Sequence, residues 1–320
     1  MNSYNLATNA WWPPDEAAAK EYMAYAEEIG LEASLGQFDA VAQRSAAVMV
    51  GNESGRSIAA FLSERIKEKI PTSCIRLGDA DGNALFPALD RYPHLTDYNL
   101  SKISQIYFGD KRVMVDSKNF FLEMVIDGIQ NADLIGGPER GTIEKSFATA
   151  YADLDVRGMC GMRGVYNYLS EKGQHIDLGS SIWASTWFSR ALLPHYFDLL
   201  RDAPFVGFIT CYEELPRLVQ QRSNISTIES ILVPMQASIA KSNKNINHYP
   251  DAYPEILARI QPPAPGAIYI VAAGILSKAY CSKIKERGGI AIDIGSVADV
   301  WMGTISRPGM STDLIDKWKL

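Results

Sequence analysis

The chain is 320 residues long and 47% hydrophobic, enough for one large core or two modest ones, which argues against a disordered chain. Its formal net charge of -6 and pI near 5.4 provide no global basic field, so a nonspecific binder of duplex nucleic acid is not expected. The four cysteines, Cys74, Cys160, Cys211 and Cys281, are scattered without a CxxC pair, which indicates neither a zinc site nor a disulfide framework.

The first twenty residues lack a basic segment followed by an apolar stretch, and no apolar run reaches the roughly 18 residues of a membrane span, so a cytoplasmic protein is expected. Residues 15–70 read as helices, broken near residues 30–35 and at GNESG. In the last of them Ile58, Phe61, Leu62, Ile66 and Ile70 recur at helical spacing as one apolar stripe. Residues 1–70 are thus expected to form a helical cap or extension on a domain spanning 71–320. Acidic charge is mixed into these helices, which suits packing on the domain or a homodimer interface. Peripheral contact with a membrane or with a biosynthetic partner is the alternative.

Beyond Pro71, short apolar runs alternate with helical segments. SCIRLG, KRVMVD, ADLIGG, FVGFIT, STIESILVP, AIYIVAAG and GGIAIDIG read as strands, and several lack alternation, as expected where helices cover both faces of a sheet. Helices are predicted over residues 117–131, 142–173, 181–202 and 275–288. The fold class is therefore α/β, a Rossmann-like, mostly parallel sheet flanked by helices, with an N-terminal helical extension. No GxGxxG follows a strand, so a dinucleotide fold of the NAD type is not expected.

The chemistry concentrates in CIRLGDADGNALF, residues 74–86. Asp79 and Asp81, two residues apart where a strand gives way to a loop, can converge on one hard divalent cation, and Arg76 can contact phosphate or orient an aspartate. Gly78 and Gly82 would permit the turn. From these residues alone four readings remain open: a solvated Asp-Gly turn, a calcium loop using Asp79, Asp81, Asn83 and Asp90, a haloacid-dehalogenase-like phosphatase with Asp79 as nucleophile, and a metal site for a nucleotide sugar. A second block, residues 266–301, reads as a buried strand, a glycine turn at Gly274, and a helix whose first amides and Lys278 can face an anion. Asp293, in the following GGIAIDIG run, either faces the same pocket or satisfies backbone donors.

IRLGDADG resembles the arginine, any residue, glycine, aspartate, glycine, glutamate signature of bacterial GT-D type glycosyltransferases, and residues 266–301 resemble that family's closing strand, glycine turn, helix and AIDIG strand. ADLIGGP resembles a shorter family element. The resemblance covers scattered blocks from Ser73 to about Gly303. It implies a metal-dependent transferase that moves a sugar, expected to be a UDP-hexose, onto a glycan or protein acceptor of a bacterial surface glycoconjugate. Mg²⁺ or Mn²⁺ would be held by Asp79 and Asp81. Arg76 would act with them in catalysis, and Gly78, Gly274, Lys278 and Asp293 would line the donor site. The other functional classes to weigh are the phosphatase and a noncatalytic nucleotide-sugar-binding partner. The chain departs from the family at Asp81, which replaces a glutamate, at Ser296, which stands where a histidine is common, at Asp299, and at FVGFITCYEEL, which replaces a glycine- and arginine-rich section.

Among the remaining candidates, His175 reads as a surface or hydrogen-bonded histidine before it reads as a base. Glu213 and Glu214 follow a strand end and are acceptor-site or base candidates. Trp183 and Trp187, at helical spacing, read as core, and Trp11 with Trp12 as an aromatic pair of open role.

Overall fold

The computed structural model describes residues 15–51, 53–153, 156–240, 247–306 and 310–320. Trp11 and Trp12 lie outside them. In chain order the elements begin with α1 (Glu16–Glu28), α2 (Leu31–Arg44), β1 (Ala47–Met49), α3 (Ser54–Lys67), β2 (Thr72–Arg76), α4 (Asp79–Leu85), α5 (Pro93–Phe108), α6 (Val113–Asp116) and α7 (Lys118–Asn131). The middle of the chain supplies β3 (Leu134–Gly137), α8 (Arg140–Asp153), α9 (Val156–Glu171), β4 (Ile182–Ser185), α10 (Phe188–Ala191), α11 (Tyr196–Leu199), β5 (Phe205–Thr210), α12 (Leu215–Ser223) and β6 (Thr227–Leu232). The last are α13 (Tyr253–Arg259), β7 (Ile268–Ala272), α14 (Ser277–Glu286), β8 (Ile290–Asp293), α15 (Val297–Trp301) and α16 (Thr312–Trp318).

The strands form one parallel eight-stranded sheet in the order β1-β4-β3-β2-β8-β7-β5-β6. Helices cover both faces because successive side chains of a strand point to opposite sides. On β2, Cys74 enters one core and Ile75 the other. On β7, Ile268 and Ile270 face the first of these and Tyr269 and Val271 the second. One core is closed by α3, α10, α11, α12 and α15, the other by α4, α5, α7, α9 and α14. This is the α/β sandwich the apolar runs predict.

The differences from the sequence reading are local. KRVMVD is not a strand: Asp110 Oδ1 accepts the Arg112 amide, Arg112 pairs with Asp116 one helical turn on, and Val113–Asp116 forms the short helix α6. Conversely, the helix predicted over 181–202 begins as β4, whose backbone is claimed by β3 on one side and β1 on the other. Within residues 1–70 the described part comprises three helices and β1, and that strand forms an edge of the common sheet, so the segment is not purely helical.

Order in the sheet fixes where a ligand can sit. From β2 the chain runs outward through β3 and β4, whereas β8, β7, β5 and β6 build the opposite half. The C-terminal ends of β2 and β8 therefore flank a crevice where the connections diverge to opposite sides, the usual ligand position in open parallel sheets.

Candidate functional site

A cleft of about 520 Å³ opens at that crevice. Its lining includes all seven residues singled out from the sequence: Arg76, Gly78, Asp79, Asp81, Gly274, Lys278 and Asp293. They arrive from three neighbouring strands, β2, β7 and β8.

The acidic pair does not form a turn. Gly78 is the extended N-cap of α4, and its amide donates to Asp81 Oδ2 at 2.8 Å, a capping interaction that fixes Asp81 in the first turn. Gly82 works by close approach, not by turning the chain. A Cβ at Gly82 would fall 1.7 Å from the Gly161 carbonyl oxygen, one at Gly161 would fall 2.2 Å from the Asp79 carbonyl oxygen, and one at Gly164 would fall 2.4 Å from the Gly82 carbonyl oxygen. Backbone-to-backbone packing of α4 on α9 thus holds both aspartates in place. Asn83 is buried and donates to the Asp79 and Arg157 carbonyls, and Asp90 ends a different turn, so the residues of the calcium-loop reading do not enclose a common centre. Nor does Asp79 stand at the strand end, as the phosphatase reading requires: β2 ends at Arg76, and Asp79 opens α4 in an ion pair with Arg157 Nη1 at 2.8 Å.

The centre of the site is Lys278, 3% exposed. Its ammonium lies 2.9 Å from Asp81 Oδ1 and 3.7 Å from Asp293 Oδ2, while Asp293 Oδ1 accepts the Gly295 amide at 3.0 Å. One lysine from α14 therefore ties the first turn of α4 to the end of β8. Burial works against the ammonium, but the Asp81 and Asp293 carboxylates outweigh it and hold its pKa above that of an ordinary lysine. Burial also pushes the Asp81 carboxyl up, with Lys278 and the Gly78 amide pulling it back.

These partners decide how a divalent ion fits. Asp81 has one oxygen on a backbone amide and the other on an ammonium, Asp79 is paired with a guanidinium, and among the described residues no group of three His, Cys, Asp or Glu side chains is arranged to hold a metal. The donor set present does not fit a resident Mg²⁺ or Mn²⁺ at Asp79 and Asp81.

Arg76 lies against Gly295, where a Cβ would fall 2.1 Å from its Nη1. That nitrogen donates to Ser189 Oγ at 3.3 Å, and among the described residues the guanidinium forms no ion pair. Gly274 turns at φ +60 with Tyr107 packed on it. The lining also holds residues that the sequence did not single out for the cleft. Trp187, beyond the end of β4, is 37% exposed and lines the cleft beneath the Arg190 guanidinium at 4.4 Å, whereas its expected core partner Trp183 is fully buried on β4. Asp299 also lines the cleft; Oδ1 accepts the Tyr212 hydroxyl at 2.8 Å and Oδ2 the Ser306 hydroxyl. His248 hydrogen-bonds the Tyr280 hydroxyl at 2.9 Å, and burial lowers its pKa to about 4.

Other candidates fall elsewhere. His175 is exposed and contacts the Lys172 carbonyl, and Glu213 and Glu214 are outside the cleft lining. The clearest missed signal is GMCGMRG, where Gly158, Gly161 and Gly164 recur every three residues and mark the smooth face of α9. No helix among the described residues is long and apolar enough to cross a membrane.

No family model and no curated protein matches the chain. Among solved structures it is similar to one described as the highly conserved domain of unknown function 1792 with a distinct glycosyltransferase fold. The identity is 14%, over 89% of this chain and 94% of that one, with a TM-score of 0.47. It is also similar to a structure described as a new glycosyltransferase (DUF1792) from Streptococcus sanguinis, at 13% identity over 85% of this chain and 93% of that one, with a TM-score of 0.46. A selenomethionine-substituted structure of the same domain shares 14% identity over 89% and 94% of the two chains, with a TM-score of 0.44.

Proposed function

We propose that this chain is a glycosyltransferase that takes its sugar from a nucleoside diphosphate donor, with a UDP-hexose the expected donor and a hydroxyl of a glycan or protein the acceptor. The observation that carries this reading is Arg76. It is a guanidinium in a cleft at the divergence point of a parallel sheet, held by a serine hydroxyl and by contact with Gly295, and without a carboxylate partner among the described residues. Such a group is suited to the planar, charge-assisted recognition of phosphate. Trp187, partly exposed in the cleft with the Arg190 guanidinium over its ring, adds an aromatic side chain of the kind that packs on a sugar or base.

In the reaction, an acceptor oxygen forms a bond to the anomeric carbon as the bond from that carbon to the donor phosphate breaks, and the diphosphate leaves with the bonding electrons. Arg76 stabilises the charge that grows on the leaving phosphate, assisted by the amide end of α14 beyond Gly274. The acceptor proton must go to a base. Of the four carboxylates among the described residues that line the cleft, Asp79, Asp81 and Asp293 face cationic side chains, whereas Asp299 is held by two hydroxyls, so Asp299 is the assigned proton acceptor. Asp299→Asn is expected to lower kcat by about 10²- to 10⁴-fold with donor affinity unchanged, measured by steady-state kinetics beside calorimetry. Equal loss of donor affinity would place Asp299 in donor binding instead.

A further inference from the structure

The acidic signature in the first turn of α4 is met by a buried lysine of α14. We propose that the Lys278 ammonium is the resident cation of this site, standing where the two acidic loops would otherwise hold a divalent metal, so that the anionic donor binds without one. Three observations lead there. The ammonium is in contact with both buried carboxylates, and each of these has its second oxygen on a loop amide, Gly78 for Asp81 and Gly295 for Asp293. Mg²⁺ requires oxygen ligands at about 2.0–2.1 Å. To reach that distance from Asp81 Oδ1 it must displace a like-charged group only 2.9 Å from the same atom. Finally, the lysine has nowhere to go: its stem is packed on Gly128 of α7, where a Cβ would fall 2.8 Å from Lys278 Cβ and 3.1 Å from Cγ, and the side chain is 4% exposed.

Arg76 completes the arrangement. The Arg76 guanidinium packs beside Gly295, near enough for its charge to act on Lys278, and makes no ion pair with a carboxylate among the described residues. The site is thus assembled with its own cations and presents Arg76 to a phosphate. The claim about metal stands apart from the proposed function, and only the nucleotide arm of the test rests on that reading.

The test titrates Mn²⁺ alone into the full chain by calorimetry, then UDP with and without EDTA, and follows Tm of the wild type, Lys278→Ala, and the charge-neutral pair Lys278→Met with Asp81→Asn. The wild type is expected to show no stoichiometric Mn²⁺ binding and the same UDP affinity in EDTA. Lys278→Ala, with its carboxylates vacated, is expected to gain Tm on addition of Mn²⁺, by about 5 °C at saturating metal, and the neutral pair to gain none. Stoichiometric Mn²⁺ binding by the wild type, or a tenfold or greater loss of UDP affinity in EDTA, overturns the proposal, as does a folded Lys278→Ala chain indifferent to Mn²⁺. If Lys278→Ala does not fold, the wild-type arms still decide. If UDP does not bind under any condition, the donor reading fails while the Mn²⁺ titration still decides the cation.

Discussion

At the scale of single residues, two aspartates that look alike in the sequence have different physical situations. Asp79 makes a partly exposed ion pair with Arg157, worth about 1 kcal/mol at most in such settings. Asp81 is buried against Lys278, and its removal leaves the buried ammonium with only the longer 3.7 Å contact to Asp293 and frees the Gly78 amide, at a cost of up to about 3–5 kcal/mol. Denaturant titration should therefore rank Asp81→Ala as far more damaging than Asp79→Ala, and similar losses would contradict the pairing described. His248 supplies a pH prediction. Its folded pKa of about 4 lies below the ordinary 6.5, so between those values the unfolded chain takes a proton that the folded chain refuses. Stability contributed by the neutral imidazole is complete above about pH 6.5 and is lost as pH falls towards 4. In urea titrations across this window His248→Gln should show a shallower loss of stability than the wild type, and parallel losses would remove His248 as the cause. That Arg76, Asp79, Asp81, Lys278 and Asp293 come together at one cleft was legible because each lies at or just beyond the C-terminal end of a strand read as parallel. Their partners were not, since nothing in the spacing says that Lys278 lies between two carboxylates.

At the scale of elements, the contact of α4 with α9 sets the geometry of the acidic loop. Gly82→Ala would drive a methyl group into the backbone of α9, and overpacking of this kind costs about 1–3 kcal/mol or more while shifting Asp79 and Asp81 together. Gly36→Ala, in an open stretch of α2 with nothing within 4 Å of the added carbon, is the matched control and should gain about 0.5–1 kcal/mol. Thermal melts read both, and a Gly82→Ala chain as stable as the control would contradict the close packing. Element type was legible where the apolar pattern was long, as in α7 and α14. It failed at β4, whose four residues gain their strand conformation from hydrogen bonds to β1 and β3, partners far away in sequence. At KRVMVD local side-chain bonds favoured a helical turn over the strand that its valines suggest.

At the scale of the whole molecule, the sheet order brings the ends of β2, β7 and β8 side by side although more than 190 residues separate β2 from β7. The parallel α/β class was legible from apolar runs alone. The order was not, because it depends on which strand each connection returns to. That order gathers Arg76, Lys278 and Asp293 at one crevice, which Trp187 and Asp299 also line, and it underlies the proposed donor site. The most direct measurement is a calorimetric titration of nucleoside diphosphate sugars into the wild type and Arg76→Ala. The account predicts one donor bound at a single site, with affinity reduced at least about tenfold by the substitution, as expected for a charge-assisted phosphate contact. A chain that binds no nucleoside diphosphate sugar, or an Arg76→Ala chain that binds as tightly as the wild type, would contradict it.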